Sequence, residues 1–281
     1  DLFAPTLACP RFGAWHAVCF RPGQRPELKL YLNPLARGRA SALGLVREAM
    51  ARLGFPDACA HLPPSTPDDL LVYFALDLSA DEHARAKVYT AHFNAAPDHV
   101  EAALRPAAGH VPGQITDFCT LMGDSYGPFE ARPVQTCLAF TAGSDSPTSG
   151  TVYFPVRAYA DSDLAVRERV LGYIHAEGDP IYRAALEGFA NRPLEDGVGM
   201  QTYVSLRQAP GGRRLTVYLS PEVYAVQRSA RVSRVSGVIP RGARERLPEA
   251  ARERLPEVAR ERLPAVARER LPAVARRASG E

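Results

Sequence analysis

The chain has 281 residues, of which 46% are apolar and 23% are charged, and its formal net charge is +3. This composition is typical of a globular protein, and so small a net charge gives no reason to expect nucleic-acid binding. The apolar runs are far shorter than the ~20 residues of a membrane-spanning helix. We therefore predict a cytoplasmic protein, monomeric or weakly dimeric, with neither nucleic acid nor membrane as a partner.

The cysteines are scattered along the chain, and none belongs to a Cys-x-x-Cys pair. An odd number of widely spaced cysteines argues against both a disulfide framework and a zinc knuckle. Buried free thiols in a reducing compartment are the expected state, and no metal or cofactor is predicted. The five cysteines are Cys9, Cys19, Cys59, Cys119 and Cys137.

Pairs of strand-like segments alternate with helix-like segments along most of the chain. Short loops such as the Gly211-Gly212 turn join the strands of a pair, which indicates antiparallel hairpins. The predicted strands span residues 13–20, 28–32, 70–78, 86–92, 134–141, 150–156, 200–207 and 214–219. The predicted helices span residues 40–53, 99–104, 112–122, 165–177 and 180–190, and another begins at 221–226. Repeated hairpins followed by helices predict an α+β fold, an antiparallel β-barrel surrounded by a ring of helices.

The C-terminal stretch, residues 229–281, contains an eight-residue repeat that reads ARERLPEA, ARERLPEV, ARERLPAV and ARERLPAV from Ala243. Each unit has one proline, which would break a continuous helix, and little apolar content. We predict a disordered tail, or a series of short helical turns, after a barrel domain that covers residues 1–228. A basic arm that binds RNA or a membrane surface is the alternative, but alternating Arg and Glu largely cancel the local charge.

A polar, tyrosine-containing face recurs on the predicted strands. Alternate residues of a strand share one face, so Lys29 and Tyr31 lie on one side and leucines on the other. A single strand of this kind usually turns its polar face to solvent. Five strands with a tyrosine on that face indicate instead a polar, tyrosine-lined lumen, with the apolar faces packed on outer helices. The residues that share a face are Lys29/Tyr31, Arg85/Lys87/Tyr89, Thr151/Tyr153, Gln201/Tyr203/Ser205 and Thr216/Tyr218/Ser220.

Basic residues beside tyrosines in one lumen suit the chemistry of a prenyl diphosphate. Lys29, Arg85 and Lys87 can hold a diphosphate through charge-assisted hydrogen bonds and neutralise it as it leaves. Tyrosine rings attract a carbocation through their negative faces and shield it from water. The chain has no DDxxD-type motif for Mg²⁺, since the text DDLLV at residues 68–72 lacks the distal acid and is interpreted as a strand-entry loop.

These segments together resemble the bacterial indole and tryptophan prenyltransferases, which are relatives of fungal dimethylallyltryptophan synthase. The resemblance runs from Phe12 to Tyr224 and rests on LKLYLNP, YFALDLSADEHARAKVY, RPVQTCLAF, TVYFPVRAY and GMQTYVSLRQAPGGRRLTVYLSPEVY. It implies a barrel of αββα repeats and metal-independent transfer of a dimethylallyl group from dimethylallyl diphosphate to tryptophan or a related indole acceptor. An upstream acidic residue and an upstream Arg of the family have no match, so the barrel is expected to lack an N-terminal repeat. A catalytically impaired remnant that at most binds diphosphates is the alternative.

The resemblance also assigns roles to individual residues. It implies diphosphate contacts at Lys29, Arg85 and Lys87, and a weaker contact at Thr151, where family members often carry Gln. His16 lies on the strand before Lys29, where some members have a basic residue that takes the proton from the attacked carbon; a structural histidine is the alternative. The remaining histidines are scattered singly and are interpreted as ordinary. The implied tyrosine shield consists of Tyr31, Tyr89, Tyr153, Tyr203 and Tyr218.

Overall fold

The computed structural model describes residues 2–5, 12–20, 22–23, 25–63, 66–79, 84–174 and 179–222. Within them, eight strands form one sheet, and every strand pairs antiparallel with its neighbour in sequence. The strands are β1 (Ala14–Cys19), β2 (Glu27–Leu32), β3 (Asp69–Leu78), β4 (Arg85–His92), β5 (Val134–Thr141), β6 (Ser149–Phe154), β7 (Gln201–Ala209) and β8 (Gly212–Leu219). β1 and β8 are the two edges of the sheet.

Helices connect successive strand pairs in the described part of the chain. The α-helices are α1 (Ala42–Arg52) after β2, α2 (Pro97–Leu104) and α3 (Gln114–Gly123) after β4, and α4 (Asp163–Leu171) and α5 (Asp179–Phe189) after β6. Short 3₁₀ turns cover Pro34–Arg37, Arg39–Ser41, Ala58–His61 and Val156–Ala158. Among the described residues, no helix combines the length and the apolar character needed to cross a membrane.

The apolar core lies between these helices and one face of the sheet. α1 contacts β3, α2 contacts β5 and β6, and α4 contacts β7. Because side chains alternate along a strand, only every second strand residue enters this core. The sheet contributes Phe74, Val88, Leu138, Phe140, Val152, Phe154, Val204 and Leu206, and the helices contribute Val46, Met50, Val100, Leu104, Ile115, Phe118, Met122, Val166 and Val170. The other face of the sheet carries Lys29, Asp77, Arg85 and Lys87 together with several tyrosines.

That other face is concave. Tyr31 on β2, Tyr89 on β4 and Tyr153 on β6 come from alternate strands, yet their successive ring centroids are only 6.1 and 5.8 Å apart. Alternate strands of a flat sheet are about 9.6 Å apart, so these side chains converge as they would on the inner wall of a barrel. The predicted fold class, an antiparallel sheet curled around a tyrosine-lined lumen with helices outside, is confirmed.

The helix ends differ from the predicted ones where capping residues decide them. Ser162 accepts a hydrogen bond from the backbone N–H of Ala165 at 3.1 Å, so α4 begins at Asp163, two residues before the predicted start. α3 begins after Gly113 rather than at residue 112, because the φ of Gly113 is 82° and lies outside the helical region. α2 begins at Pro97 rather than residue 99, since proline suits the first helical turn.

Two predictions fall wholly or largely outside the described residues. Of the predicted helix at 221–226, only residues 221 and 222 are described, and they are not helical. The octad repeat at 229–281 lies entirely outside, so the division into a barrel domain and a tail stays a prediction. Cys9 also lies outside, whereas Cys119 and Cys137 are buried free thiols as predicted, and Cys19 and Cys59 are only partly buried.

Candidate active site

Lys29, Asp77, Arg85 and Lys87 lie side by side at one end of the concave face. In the register of the sheet, Asp77 stands opposite Lys29 on β2 and opposite Arg85 on β4, and Lys87 is two residues further along β4. Directly paired residues of adjacent strands point to the same face, so all four side chains face the lumen. The structure therefore brings the three predicted cationic residues together and adds a carboxylate to them.

Asp77 binds two of these cations. Arg85 Nε and Nη2 are each 2.7 Å from Oδ2, and Lys87 Nζ is 2.8 Å from both carboxylate oxygens. Burial by itself would raise the pKa of the Asp77 carboxyl, but the hydrogen bond and charge of Lys87, with the charges of Arg85 and Lys29, lower it. The pKa of the Lys87 ammonium is lowered, because burial and the charge of Arg85 together outweigh the opposite effect of Asp77. The ionised carboxylate orients the Lys87 ammonium and the Arg85 guanidinium at this end of the lumen.

A further cation, Arg207 on β7, faces the same lumen. It stands opposite Thr151 on β6 and Arg214 on β8, and Thr151 stands opposite Cys137. Arg207 Nε is buried and has no hydrogen-bond partner among the described residues. Burial lowers the pKa of Arg207, and the charges of Arg85 and Arg214 lower it further. Because a buried polar nitrogen without a partner is unfavourable, an anion is the expected ligand at this point.

A row of tyrosine rings lies next to the cationic end. The ring centroid of Tyr89 is 6.1 Å from that of Tyr31 and 5.8 Å from that of Tyr153, and Tyr153 lies 6.1 Å from Tyr218. Tyr89 is buried, whereas Tyr218 on the edge strand is 40% exposed. Four of the five predicted shield residues therefore form a continuous row across the concave face.

The fifth shield residue and two further aromatic residues extend this row. Tyr203 stands opposite Tyr218 at a β-bulge, and the Arg132 guanidinium lies 5.4 Å from its ring centroid. Tyr73 on β3 lies 5.8 Å from Tyr89 and 5.6 Å from Trp15 on β1. Burial raises the pKa of Tyr73 and the Tyr203 phenol raises it further, whereas the charge of Arg132 lowers it. We call these seven residues the aromatic band: Trp15, Tyr31, Tyr73, Tyr89, Tyr153, Tyr203 and Tyr218.

The nucleophilic groups at the centre of the aromatic band are held in their protonated forms. Burial raises the pKa of Tyr89 and of Tyr153 well above the usual value, and the neighbouring Cys137 is the next cause. Burial likewise raises the pKa of the Cys137 thiol to about 11, although the charge of Lys87 lowers it. A neutral thiol or phenol is a much weaker nucleophile than its anion, so a carbocation beside these groups would not be captured readily by them.

His16 lies away from these residues. It is exposed on β1 and stands opposite Leu30, on the face of the sheet that turns away from the lumen. Its neighbour Trp15 stands opposite Tyr31 and faces the lumen instead. Because adjacent residues of a strand point to opposite faces, the register does not bring His16 to the other site residues, and its role as the proton-accepting base stays a prediction.

Asp69 and two histidines form a second polar cluster. Asp69 does not lie in a strand-entry loop as predicted: it is the first residue of β3 and is only 4% exposed. Its Oδ1 is 2.5 Å from His92 Nδ1 and 3.0 Å from His99 Nε2. The interpretation of these histidines as single and ordinary is therefore wrong, because the β3–β4 register and α2 bring them onto one carboxylate.

Known structures resemble this chain, although no family model matches it. The 6-dimethylallyltryptophan synthase from Micromonospora olivasterospora, solved with DMASPP and Trp, is 34% identical with a TM-score of 0.73, over 80% of this chain and 66% of that one. The 5-dimethylallyltryptophan synthase from Streptomyces coelicolor, also solved with DMASPP and Trp, is 34% identical with a TM-score of 0.72, over 86% of this chain and 67% of that one. NotF prenyltransferase, at 18% identity and a TM-score of 0.60, shares the fold.

The similarity extends to sequence and fold alike. The chain spans 66% of the length of the Micromonospora protein, and the matched part makes up 80% of this chain. The Streptomyces protein is matched at the same identity over 67% of its length. On these grounds the chain belongs to the dimethylallyltryptophan synthase family of prenyltransferases.

Proposed function

We propose that this chain transfers a dimethylallyl group from dimethylallyl diphosphate to the indole ring of tryptophan or a related aromatic compound, without a metal ion. One observation carries the proposal: a cationic end and an aromatic band adjoin on one concave face. The donor has two unlike halves, a diphosphate polyanion and an allyl group that becomes a cation. The diphosphate needs basic side chains, and the allyl cation needs aromatic rings next to them. The family relatives solved with DMASPP and Trp support the same substrates.

The cationic end binds the leaving diphosphate. Lys29, Arg85, Lys87 and Arg207 donate charge-assisted hydrogen bonds to its oxygens, and the Thr151 hydroxyl adds one more. These bonds strengthen as the C–O bond breaks and its electron pair moves onto the diphosphate, so they stabilise the transition state more than the bound substrate. The side chains thereby supply the positive charge that Mg²⁺ supplies in metal-dependent phosphoryl and diphosphate chemistry.

The aromatic band stabilises the dimethylallyl cation that remains. Each ring face attracts a desolvated cation by up to ~2 kcal/mol, and the packed rings around Tyr89 exclude the water that would capture it. An indole ring held against the cation supplies the electron pair of the new C–C bond. The attacked ring carbon then releases its proton to a base, and aromaticity is restored.

The remaining properties are expectations of the same proposal. The protein acts in the cytoplasm, where a reducing environment suits the buried thiols Cys119 and Cys137. It acts as a monomer or a weak homodimer, with the donor and the aromatic acceptor as its partners. The C-terminal repeat has no part in prenyl transfer.

Incubation of the chain with dimethylallyl diphosphate, tryptophan and excess EDTA, followed by mass spectrometry, tests this function. We expect a product heavier than tryptophan by one prenyl unit, formed at the same rate with and without EDTA, because side chains rather than a metal neutralise the leaving group. Heat-denatured protein is the control. Lack of product with tryptophan and with a panel of other indoles and phenols would contradict the proposal.

A further inference from the structure

Asp69, His92 and His99 bring three metal-ligand side chains together on the helix-facing side of the sheet. They come from β3, β4 and α2, and one candidate ligand atom from each lies within 4.8 Å of the others. Asp69 and His92 are directly paired in the register, and His92 is an odd number of residues from Tyr89, so both point away from the lumen. The cluster is thus separate from the candidate active site.

We propose that Asp69, His92 and His99 bind one divalent cation of the zinc type. Two imidazole nitrogens and one carboxylate oxygen are a ligand set that zinc takes, with a fourth position left for water. Mg²⁺ and Ca²⁺ prefer oxygen ligands throughout, so the two nitrogens select against them.

The candidate ligand atoms of Asp69, His92 and His99 already lie close together. The Asp69 Oδ1 atom accepts from His92 Nδ1 at 2.5 Å and from His99 Nε2 at 3.0 Å. Ligand atoms of a tetrahedral zinc site lie about 3.3 Å apart, given metal–ligand distances of ~2.0–2.1 Å. The three candidate ligand atoms all lie within 4.8 Å of one another, so movements on the order of 1 Å would admit the ion. The His99 side chain is 43% exposed, so it can move this far and it opens the cluster to solvent.

The neighbouring hydroxyls suit a bound cation. Coordination by His92 Nδ1 needs its lone pair, so the imidazole proton moves to Nε2, which lies 2.8 Å from Thr136 Oγ1 and can donate to it. A hydrogen bond at the far nitrogen is the usual support of a metal-bound histidine. Thr66 Oγ1 donates to Asp69 Oδ2 at 2.8 Å, which leaves Oδ1 for the cation.

Binding would tie β3, β4 and α2 together without touching the lumen. A ligand that binds only the folded chain stabilises it by mass action, so the expected effect is on stability. The proposal therefore does not depend on the proposed function, and prenyl transfer is not a readout of its test.

Titration of the tag-free, metal-stripped full chain with Zn²⁺, against a competing chelator, tests the site. We expect one Zn²⁺ per chain and a higher unfolding temperature when Zn²⁺ is present. His99→Gln removes the partly exposed ligand and should weaken the affinity at least about 10-fold, and Thr136→Val should weaken it about 10-fold through the lost hydrogen bond. His16→Gln is the control, because His16 is level with Ala86, six residues from His92 along β4, and should bind as the wild type does.

Three results would each overturn the proposal. One is binding of less than half an equivalent of Zn²⁺. Another is an affinity of His99→Gln equal to that of the wild type. The third is a Co²⁺ spectrum dominated by thiolate-to-metal charge transfer, since it would place the cation on cysteines instead.

Discussion

Replacing Lys87 by methionine is expected to lower kcat/KM for prenyl transfer about 10²–10³-fold, the usual loss when one preorganised donor to a developing anion is removed. Lys87 donates to Asp77 at 2.8 Å and is 8% exposed, so its ammonium is both held in place and largely desolvated. Methionine keeps the length of the side chain, and Asp77 keeps its hydrogen bond and ion pair with Arg85. Steady-state kinetics with dimethylallyl diphosphate measure the effect.

A control variant and a variant of the aromatic band separate the role of the cationic end from that of the aromatic band. Arg47→Met removes an exposed cation from α1 and should leave kcat/KM unchanged. Tyr89→Leu should lower kcat about 10-fold, given a cation–π term of up to ~2 kcal/mol, yet bind an unreactive thiolodiphosphate analogue within about 3-fold of wild type. Lys87→Met should instead bind that analogue much more weakly. The division of roles fails if Lys87→Met binds the analogue like the wild type, or if Tyr89→Leu loses its binding to the same extent.

Replacing Asp163 by alanine is expected to lower the free energy of unfolding by about 3–5 kcal/mol, because it leaves three buried backbone N–H groups without an acceptor and removes one of the two carboxylates that bind Arg192. Asp163 is fully buried at the start of α4. Its carboxylate accepts from Arg192 Nη2 at 2.6 Å and from the backbone N–H groups of residues 199, 200 and 201 at 3.0, 3.1 and 2.8 Å. These are the residues that lead into β7, and therefore into Tyr203 and Arg207.

Urea unfolding at neutral pH, followed by circular dichroism, measures this change. The matched control is Asp161→Ala, two residues earlier and exposed, for which we expect a change within about 0.5 kcal/mol. A loss of less than about 1 kcal/mol for Asp163→Ala would contradict the role given to this carboxylate.

The strands and most of the shield could be predicted because the signals are local. Apolar alternation and turn residues lie within one hairpin, and β5 has the predicted bounds, Val134–Thr141. The same alternation placed Lys29 with Tyr31 and Lys87 with Tyr89, since a period of two holds wherever a strand is regular.

Irregular strands explain several errors and omissions. A β-bulge between Gln201 and Tyr203 turns Gln201 out of the shared face, and its side-chain amide donates to the Asp163 carbonyl at 2.7 Å. A second bulge precedes Tyr73, and the same-face sets omitted this residue. Arg207 could have been predicted to face the lumen, because it is the next alternate residue after Ser205 on β7.

The Asp69 cluster and the position of Asp77 depend on contacts between residues far apart in the sequence, which local sequence patterns do not predict. The Asp69 contacts span 23 residues to His92 and 30 residues to His99. Asp77 was not predicted as a site residue for a related reason: it lies next to the cations only because β3 pairs with both β2 and β4. Such clusters become visible only when the strand register is known.

The most direct test of the central claim, that one lumen divides the donor between a cationic end and an aromatic band, is a crystal structure of this chain with the thiolodiphosphate analogue of dimethylallyl diphosphate. The account predicts diphosphate oxygens about 2.7–2.9 Å from nitrogens of Lys87, Arg85 and Arg207. It also predicts the dimethylallyl group in contact with the rings of Tyr89 and Tyr153. A diphosphate bound away from the concave face, or an allyl group pointing away from the aromatic band, would contradict it.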